Sequence, residues 1–220
     1  MSKLPGLFDI FDNLDQIPVE NIARWLKPQP SLAYIENFLA QRILYPQTIP
    51  ITEADLKMDL AILREALRMQ GPKDKKATAL LGDNPFLNTT LRKILIPSKF
   101  LNFIPDLKIL TYVFVDGLLL DRKREDFFED LWTIELSGEI SEVIGSLLIP
   151  QFKDKRGILQ LRIGDKNYQI HPGTLIVIPC FKDRCEAIFK LKQGKILGKE
   201  DLAVEVYGGK LGLMVDGRER

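Results

Sequence analysis

The chain has 220 residues, 45% of them hydrophobic, with 31 basic and 30 acidic side chains and a net charge of +1. That is enough apolar material for one large core or two small ones, and the charge balance creates no field that would draw nucleic acid or a membrane surface. No segment is apolar for long enough to cross a bilayer. The first residues do not read as a secretory leader. Two cysteines, Cys180 and Cys185, cannot build a disulfide framework, so the expectation is a cytoplasmic protein with reduced thiols.

Leu7, Phe8, Phe11 and Leu14 make an apolar stripe broken by Asp9, Asp12 and Asp15, which reads as a short helix. It packs either on its own body or in a partner's groove. Residues 19–27 carry a second short helical pattern ending in Trp25 and Leu26, and Pro28 and Pro30 break it. Ser31 caps a helix that runs to about Leu44, and Pro46 and Pro50 bound a linker. Thr52 then stands as an N-cap, with Asp55 at capping-box spacing. Leu56, Leu60, Leu63 and Leu67 recur on one face, with Met58, Glu65 and Arg68 away from it, and Gly71-Pro72 ends the helix.

Ala77 to Leu81 reads as a strand, Phe86 to Ile96 as a helix, and Ile109 to Val115, rich in β-branched and aromatic residues, as a second strand. Together they predict one βαβ unit with parallel strands and a right-handed crossover. Beyond Asp121 the helical stripes stop. Strand-like runs follow at 131–136, 142–149, 157–163, 166–170, 174–178, 185–191, 202–207 and 211–215, with Gly164-Asp165 as a hairpin turn and Gly208-Gly209 as another turn. The expected fold is α+β: a helical and βαβ half over residues 1–122, then an antiparallel β barrel or sandwich over residues 123–220.

Three stretches in order carry a resemblance. LYPQTIPITEADLKMDLAILREALRM is the first. ATALLGDNPFLNTTLRKIL with ILTYVFVDGLLL is the second, and HPGTLIVIPCFKDRCEAIFKL with AVEVYGGKLGLMVDGRER is the third. Over residues 20–218 they resemble the C-terminal part of the MutL-type accessory component of the methylaspartate (glutamate) mutase system, a family unrelated to the mismatch-repair protein that shares the name. That family resembles actin-like and Hsp70-like ATPases and assists or reactivates a coenzyme-B12-dependent mutase.

The resemblance implies a βαβ unit like the last part of an actin-like ATPase domain. It places Gly82 and Asp83 at a degenerate adenosine turn, followed by Asn84 and Pro85 where further glycine would be usual. Neither Asp116-Gly117 nor Asp216-Gly217 substitutes for the family's N-terminal phosphate loops. The implied function is a non-catalytic interaction or chaperone-like module that works on a protein partner, a mutase subunit or an actin-like ATPase half. The alternative is half of a split actin-like ATPase whose phosphate loops come from another chain. No cofactor is expected, and ATP only if another chain completes the site. The partner surface is either the stripe Leu7, Phe8, Phe11 and Leu14 or an exposed strand edge of the β half. A small-molecule pocket within the β half is a third reading.

Other chemistry-bearing residues read as structural. His171 is the single histidine and precedes Pro172, with no nucleophile pointed at it by the sequence. With Cys180 and Cys185 it makes three possible zinc ligands, one short of a structural site. Lys182 and Arg184 beside the cysteines favour a thiolate. Asp106, Asp116 and Asp121 are scattered, and RKREDFFED at Arg122 to Asp130 reads as a solvated linker anchored by Phe127 and Phe128. Lys190, Lys192, Lys195 and Lys199 lack the interleaved aromatics of a nucleic-acid surface. No catalytic or metal residue is assigned.

Overall fold

The computed structural model describes residues 6–11, 13–70, 87–88, 92–119, 131–180 and 182–218. They fall into two compact units, Met1–Ala79 with Lys99–Asp121, and Leu80–Ser98 with Arg122–Arg220. The segment 80–98, placed by the sequence reading in the first half, therefore belongs with the β-rich unit.

The first unit holds α1 (Val19–Ala23), α2 (Leu32–Leu44), α3 (Glu53–Met69) and α4 (Leu107–Leu119). Both expected caps are present. Ser31 Oγ accepts the Tyr34 N–H at 3.3 Å. Thr52 Oγ1 accepts the Asp55 N–H at 3.1 Å while Asp55 Oδ2 accepts the Thr52 N–H at 3.0 Å, so α3 starts on a reciprocal box. The Thr52 N–H holds the Asp55 carboxyl below its ordinary range. α3 is buried well beyond its leucine stripe: Met58 and Glu65, expected to lie away from it, are 2% and 0% exposed, and Asp59 is 0% exposed.

Two expectations are corrected here. Leu7, Phe8, Phe11 and Leu14 are buried in this unit's own core, so they are not a partner-binding stripe. Instead of a helix, the segment makes turns and one 3-10 turn over Leu14–Gln16. Phe11 lies 6.4 Å from Phe100, whose ring meets Phe114 edge-on at 5.4 Å. Burying each Phe is worth roughly 2 kcal/mol, which decides the matter against exposure.

The second correction is that Ile109 to Val115 is helix, within α4, and not strand. Asp106 caps it, accepting the N–H groups of Lys108 and Ile109 at 2.8 and 3.0 Å. Leu110, Val113, Phe114 and Val115 are fully buried. β-propensity is a weak prior, and burial beside α3 overrides it. Gly117 permits the contact: a Cβ there would lie 2.6 Å from Leu67 Cβ and 2.8 Å from the Arg64 carbonyl oxygen of α3.

The second unit begins with β1 (Leu87–Asn88) and β2 (Lys93–Pro97). β2 occupies residues expected to end a helix, and its burial alternates along the strand. With 93–97 as strand and 107–119 as helix, the expected βαβ unit is not formed. The expected strand 77–81, with Gly82 and Asp83 after it, lies outside the described residues.

All eight later strand runs are present, as β3 (Leu131–Ser137), β4 (Glu142–Leu148), β6 (Ile158–Ile163), β7 (Lys166–Ile170), β8 (Leu175–Ile178), β9 (Arg184–Lys192), β11 (Asp201–Tyr207) and β12 (Gly212–Asp216). Two short additions, β5 (Gln151–Phe152) and β10 (Gly194–Lys195), pair with each other. One sheet runs β1-β2-β3-β4-β12-β8 and the other β11-β9-β6-β7.

The first sheet is mixed, since β2–β3 and β4–β12 are parallel, and neither sheet closes into a barrel. Of the expected antiparallel barrel or sandwich the barrel is not formed: the sheets are open, one of them is mixed, and their apolar faces share one core. Leu148, Ile178, Leu213 and Val215 come from one sheet, and Leu159, Leu161, Phe189 and Val206 from the other. Gly164, at φ +57°, opens the two-residue turn between β6 and β7 as expected. Gly208-Gly209 instead carries the chain from one sheet to the other, and the Tyr207 N–H donates to Ser146 Oγ of β4 at 2.9 Å.

Gly117→Ala is expected to destabilise the helical unit by about 1–3 kcal/mol, because a methyl must force α4 off α3. Urea unfolding followed by helical circular dichroism measures it, and an unchanged midpoint would mean that this contact does not set the helix separation.

Candidate binding groove in the helical unit

The first unit carries a groove of about 910 Å³. One wall is the run Trp25 to Pro30 at the end of α1, the other is the first half of α3 from Thr52 to Leu60 with Arg64, and Tyr34 of α2 stands beside them. The sequence dictates this shape locally. Pro28 and Pro30 deny the chain a continued helix, and the capped start of α3 fixes the facing wall.

Trp25 is held rigidly. Its Nε1–H donates to Glu65 Oε1 at 2.7 Å. The same oxygen accepts Arg24 Nη2–H and Nε–H at 2.7 and 3.1 Å, and Oε2 accepts Arg68 Nε–H at 2.8 Å. Two guanidinium groups lie over the indole, Arg24 at 5.2 Å and Arg64 at 5.1 Å from the ring centroid. Arg64 Nε–H in turn donates to Asp116 Oδ2 of α4 at 2.9 Å. The position of one groove aromatic is thus set by carboxylates and cations of α1, α3 and α4.

A second buried pair braces the same helix. Arg42 of α2 donates to both Asp59 oxygens, at 2.6 and 2.9 Å, and its guanidinium sits 4.5 Å over Phe38. Burial pushes the Asp59 carboxyl up to about 6, against the pull of Arg42.

The groove surface mixes apolar and cationic groups. Leu26, Pro28, Pro30, Ala54, Met58 and Leu60 supply the apolar part. Lys27, Lys57 and Arg64 are the cations, and the one acid among the described lining residues, Glu53, pairs with Lys57 at 2.6 Å. That contact lowers the Glu53 carboxyl from its ordinary range. Tyr34 is 49% exposed, and on the connection from α2 to α3 Leu44, Tyr45, Ile49 and Ile51 are 71%, 59%, 59% and 91% exposed. Among the described lining residues there is no His, Cys or Ser, and the Thr52 hydroxyl is spent on its cap. The arrangement can bind; it offers no nucleophile–base pair.

The sequence-predicted groups do not assemble elsewhere. Gly82, Asp83 and Asp121 lie outside the described residues. Asp116 is an ion-pair partner on a helix, Asp106 a cap, and the His171 carbonyl accepts the Thr174 hydroxyl at 2.6 Å. Cys180 and Cys185 are joined as a disulfide, which corrects the expectation of reduced thiols. No group of His, Cys, Asp and Glu able to hold a metal occurs among the described residues, and no described helix is long and apolar enough to cross a membrane. Sequence reading missed Trp25, Tyr34 and Glu65 as site residues. The signal available was the cluster Arg24-Trp25 before two prolines, and it does not name Glu65 as a partner forty residues on.

No family model, no curated protein and no solved structure matches the chain. The likeness to the mutase-accessory family therefore rests on the three stretches quoted, and in the described residues of the second, 93–97 are strand and 109–115 helix, the reverse of the βαβ unit it implied.

Two outcomes follow from these buried charges. Glu65→Gln is expected to cost about 3 kcal/mol, since it strips the charge that Arg24 and Arg68 share. Trp25 fluorescence in the Trp132→Phe background reports whether the indole is released.

Asp59 has the opposite sign from an ordinary paired carboxylate. With its folded value raised to about 6, the folded state takes up the proton before the unfolded state does. This group therefore adds stability as pH falls below that value and withholds it above. The stability gap between wild type and Asp59→Asn is expected to widen from pH 7 to pH 5 in denaturant titrations. A gap that narrows would mean that Arg42 outweighs burial.

Proposed function

We propose that this chain is a non-catalytic protein-interaction module and that the groove between Trp25–Pro30 and the start of α3 is where it holds its partner. The observation that carries the reading is the groove's make-up. It joins a rigid indole and an exposed tyrosine to an apolar floor, under a rim where Lys27, Lys57 and Arg64 outnumber Glu53. Rigid aromatic anchors in a partly desolvated pocket are what binding hot spots use. Arg64 and Lys57 are paired with Asp116 and Glu53, which leaves Lys27 among the described lining residues to favour an acidic amphipathic segment of a partner protein, its apolar side chains laid along Pro28, Pro30 and Ala54. The resemblance to the mutase-accessory family suggests what that partner is: a subunit of a coenzyme-B12-dependent mutase, which this chain would assist in a chaperone-like way.

The test uses the full chain as bait in the source cell, beside Tyr34→Ala with Lys57→Glu. A specific partner is expected with wild type and is reduced at least tenfold with the double variant, at unchanged helical circular dichroism. Equal capture by both baits would remove the groove from the reading. A captured mutase subunit, confirmed by binding of the purified components, supports the family-derived partner; a different protein would keep the module and discard the mutase.

A further inference from the structure

Cys180 follows β8, which ends the mixed sheet, and Cys185 lies in β9, an inner strand of the antiparallel sheet. Their disulfide ties the two sheets at the point where the chain passes from one to the other. Cys180 is 4% exposed, whereas Cys185 is only partly buried opposite Val206 of β11. Cys180 Sγ also packs on the turn that leads into β12. A Cβ at Gly208 would come within 2.8 Å of it, and the Gly208 N–H donates to the Asp183 carbonyl at 3.0 Å.

We propose that Cys180 and Cys185 form a reversible thiol–disulfide site that exchanges with a low-molecular-weight thiol of the glutathione class. Three observations favour a reversible bond over a permanent staple. The cysteines are five residues apart, so the bond constrains the unfolded chain little and the fold depends on it only weakly, which lets both redox forms stay folded. The Lys182 carbonyl oxygen lies 3.8 Å from Cys180 Sγ, so the reduced thiol has an acceptor in place. Cys185 is partly exposed, so a thiolate in solution can reach its sulfur.

The exchange balances without further reagents. A glutathione thiolate attacks Cys185 Sγ, the more exposed sulfur. The electron pair of the protein S–S bond goes to Cys180 Sγ, which takes a proton. A second glutathione thiolate attacks the glutathione sulfur of the mixed disulfide, releasing Cys185 as a thiolate that is protonated, and leaving glutathione disulfide. The protein gains two hydrogens and two glutathione thiols are oxidised. Reducing conditions would favour the open form, and oxidant the closed one.

The experiment equilibrates the full native chain against reduced and oxidised glutathione in varied ratio and reads intact mass. The expected result is interconversion between a form with two thiols and one lighter by two hydrogens, with strand circular dichroism retained in both. Reduction should lower the Tm by about 5 °C, an estimate from loop-closure entropy and the size of the unit. The variant Cys180→Ser with Cys185→Ser should melt at the same temperature with and without thiol. Thiols that stay reduced in excess oxidised glutathione, or a bond that survives excess reduced glutathione in the native chain, would overturn the proposal. So would a Tm response that persists in the double variant.

Discussion

The helical unit depends on charges buried along α3. Glu65 has no exposed surface, yet it carries a full carboxylate into contact with Arg24, Trp25 and Arg68. One residue earlier, Arg64 reaches Asp116 on α4, and in the first half of the helix Asp59 takes two donors of Arg42 on α2. α3 is therefore bound to each of its three neighbouring helices by an ion pair as well as by leucines. Apolar contacts alone would let the helices slide, since hydrophobic attraction has no direction. Paired charges fix register because a buried, unpaired carboxylate is costly. Glu65 and Asp59 thus say little about gross stability and much about which of several similar packings the helices adopt.

This explains what the sequence made legible. The capping box of Thr52 and Asp55 and the cap at Ser31 are local chemistry, set by residues within three positions of each other, and the structure has both. The eight later strands were equally readable, because alternation in runs such as Leu159, Leu161 and Ile163 needs only one buried face to become a strand. Their arrangement into two open sheets was not readable. It turns on β12, the last strand, entering between β4 and β8, and such long-range pairing leaves no mark on either partner's composition.

The exchanged pair of elements shows where local reading loses. Ile109 to Val115 has the composition of a buried strand, and a short apolar run is ambiguous between strand and buried helix. The deciding cues lay outside it: Asp106 as a cap in front, and Gly117 behind, where a helix comes close to another backbone. Residues 93–97 show the converse, a strand read as the tail of a helix because Leu91, Ile94 and Leu95 happen to match helical spacing. The stripe of Leu7, Phe8, Phe11 and Leu14 failed for a different reason. An amphipathic pattern shows that one face seeks burial, and says nothing of whether the cover comes from the same chain.

The groove draws on both kinds of information. Its walls follow from punctuation visible in the sequence, two prolines after Trp25 and a capped helix start at Thr52. Its one rigid aromatic follows from Glu65, whose role appears only when the chain is folded. A tryptophan held by a carboxylate on its nitrogen and by two guanidinium groups over its ring is ordered on folding. Tyr34, beside that fixed indole, is 49% exposed, and Pro28 and Ala54 of the same lining are exposed as well. One aromatic fixed in advance beside exposed groups is the division that makes this groove, rather than the buried stripe of Leu7, Phe8, Phe11 and Leu14, the candidate site.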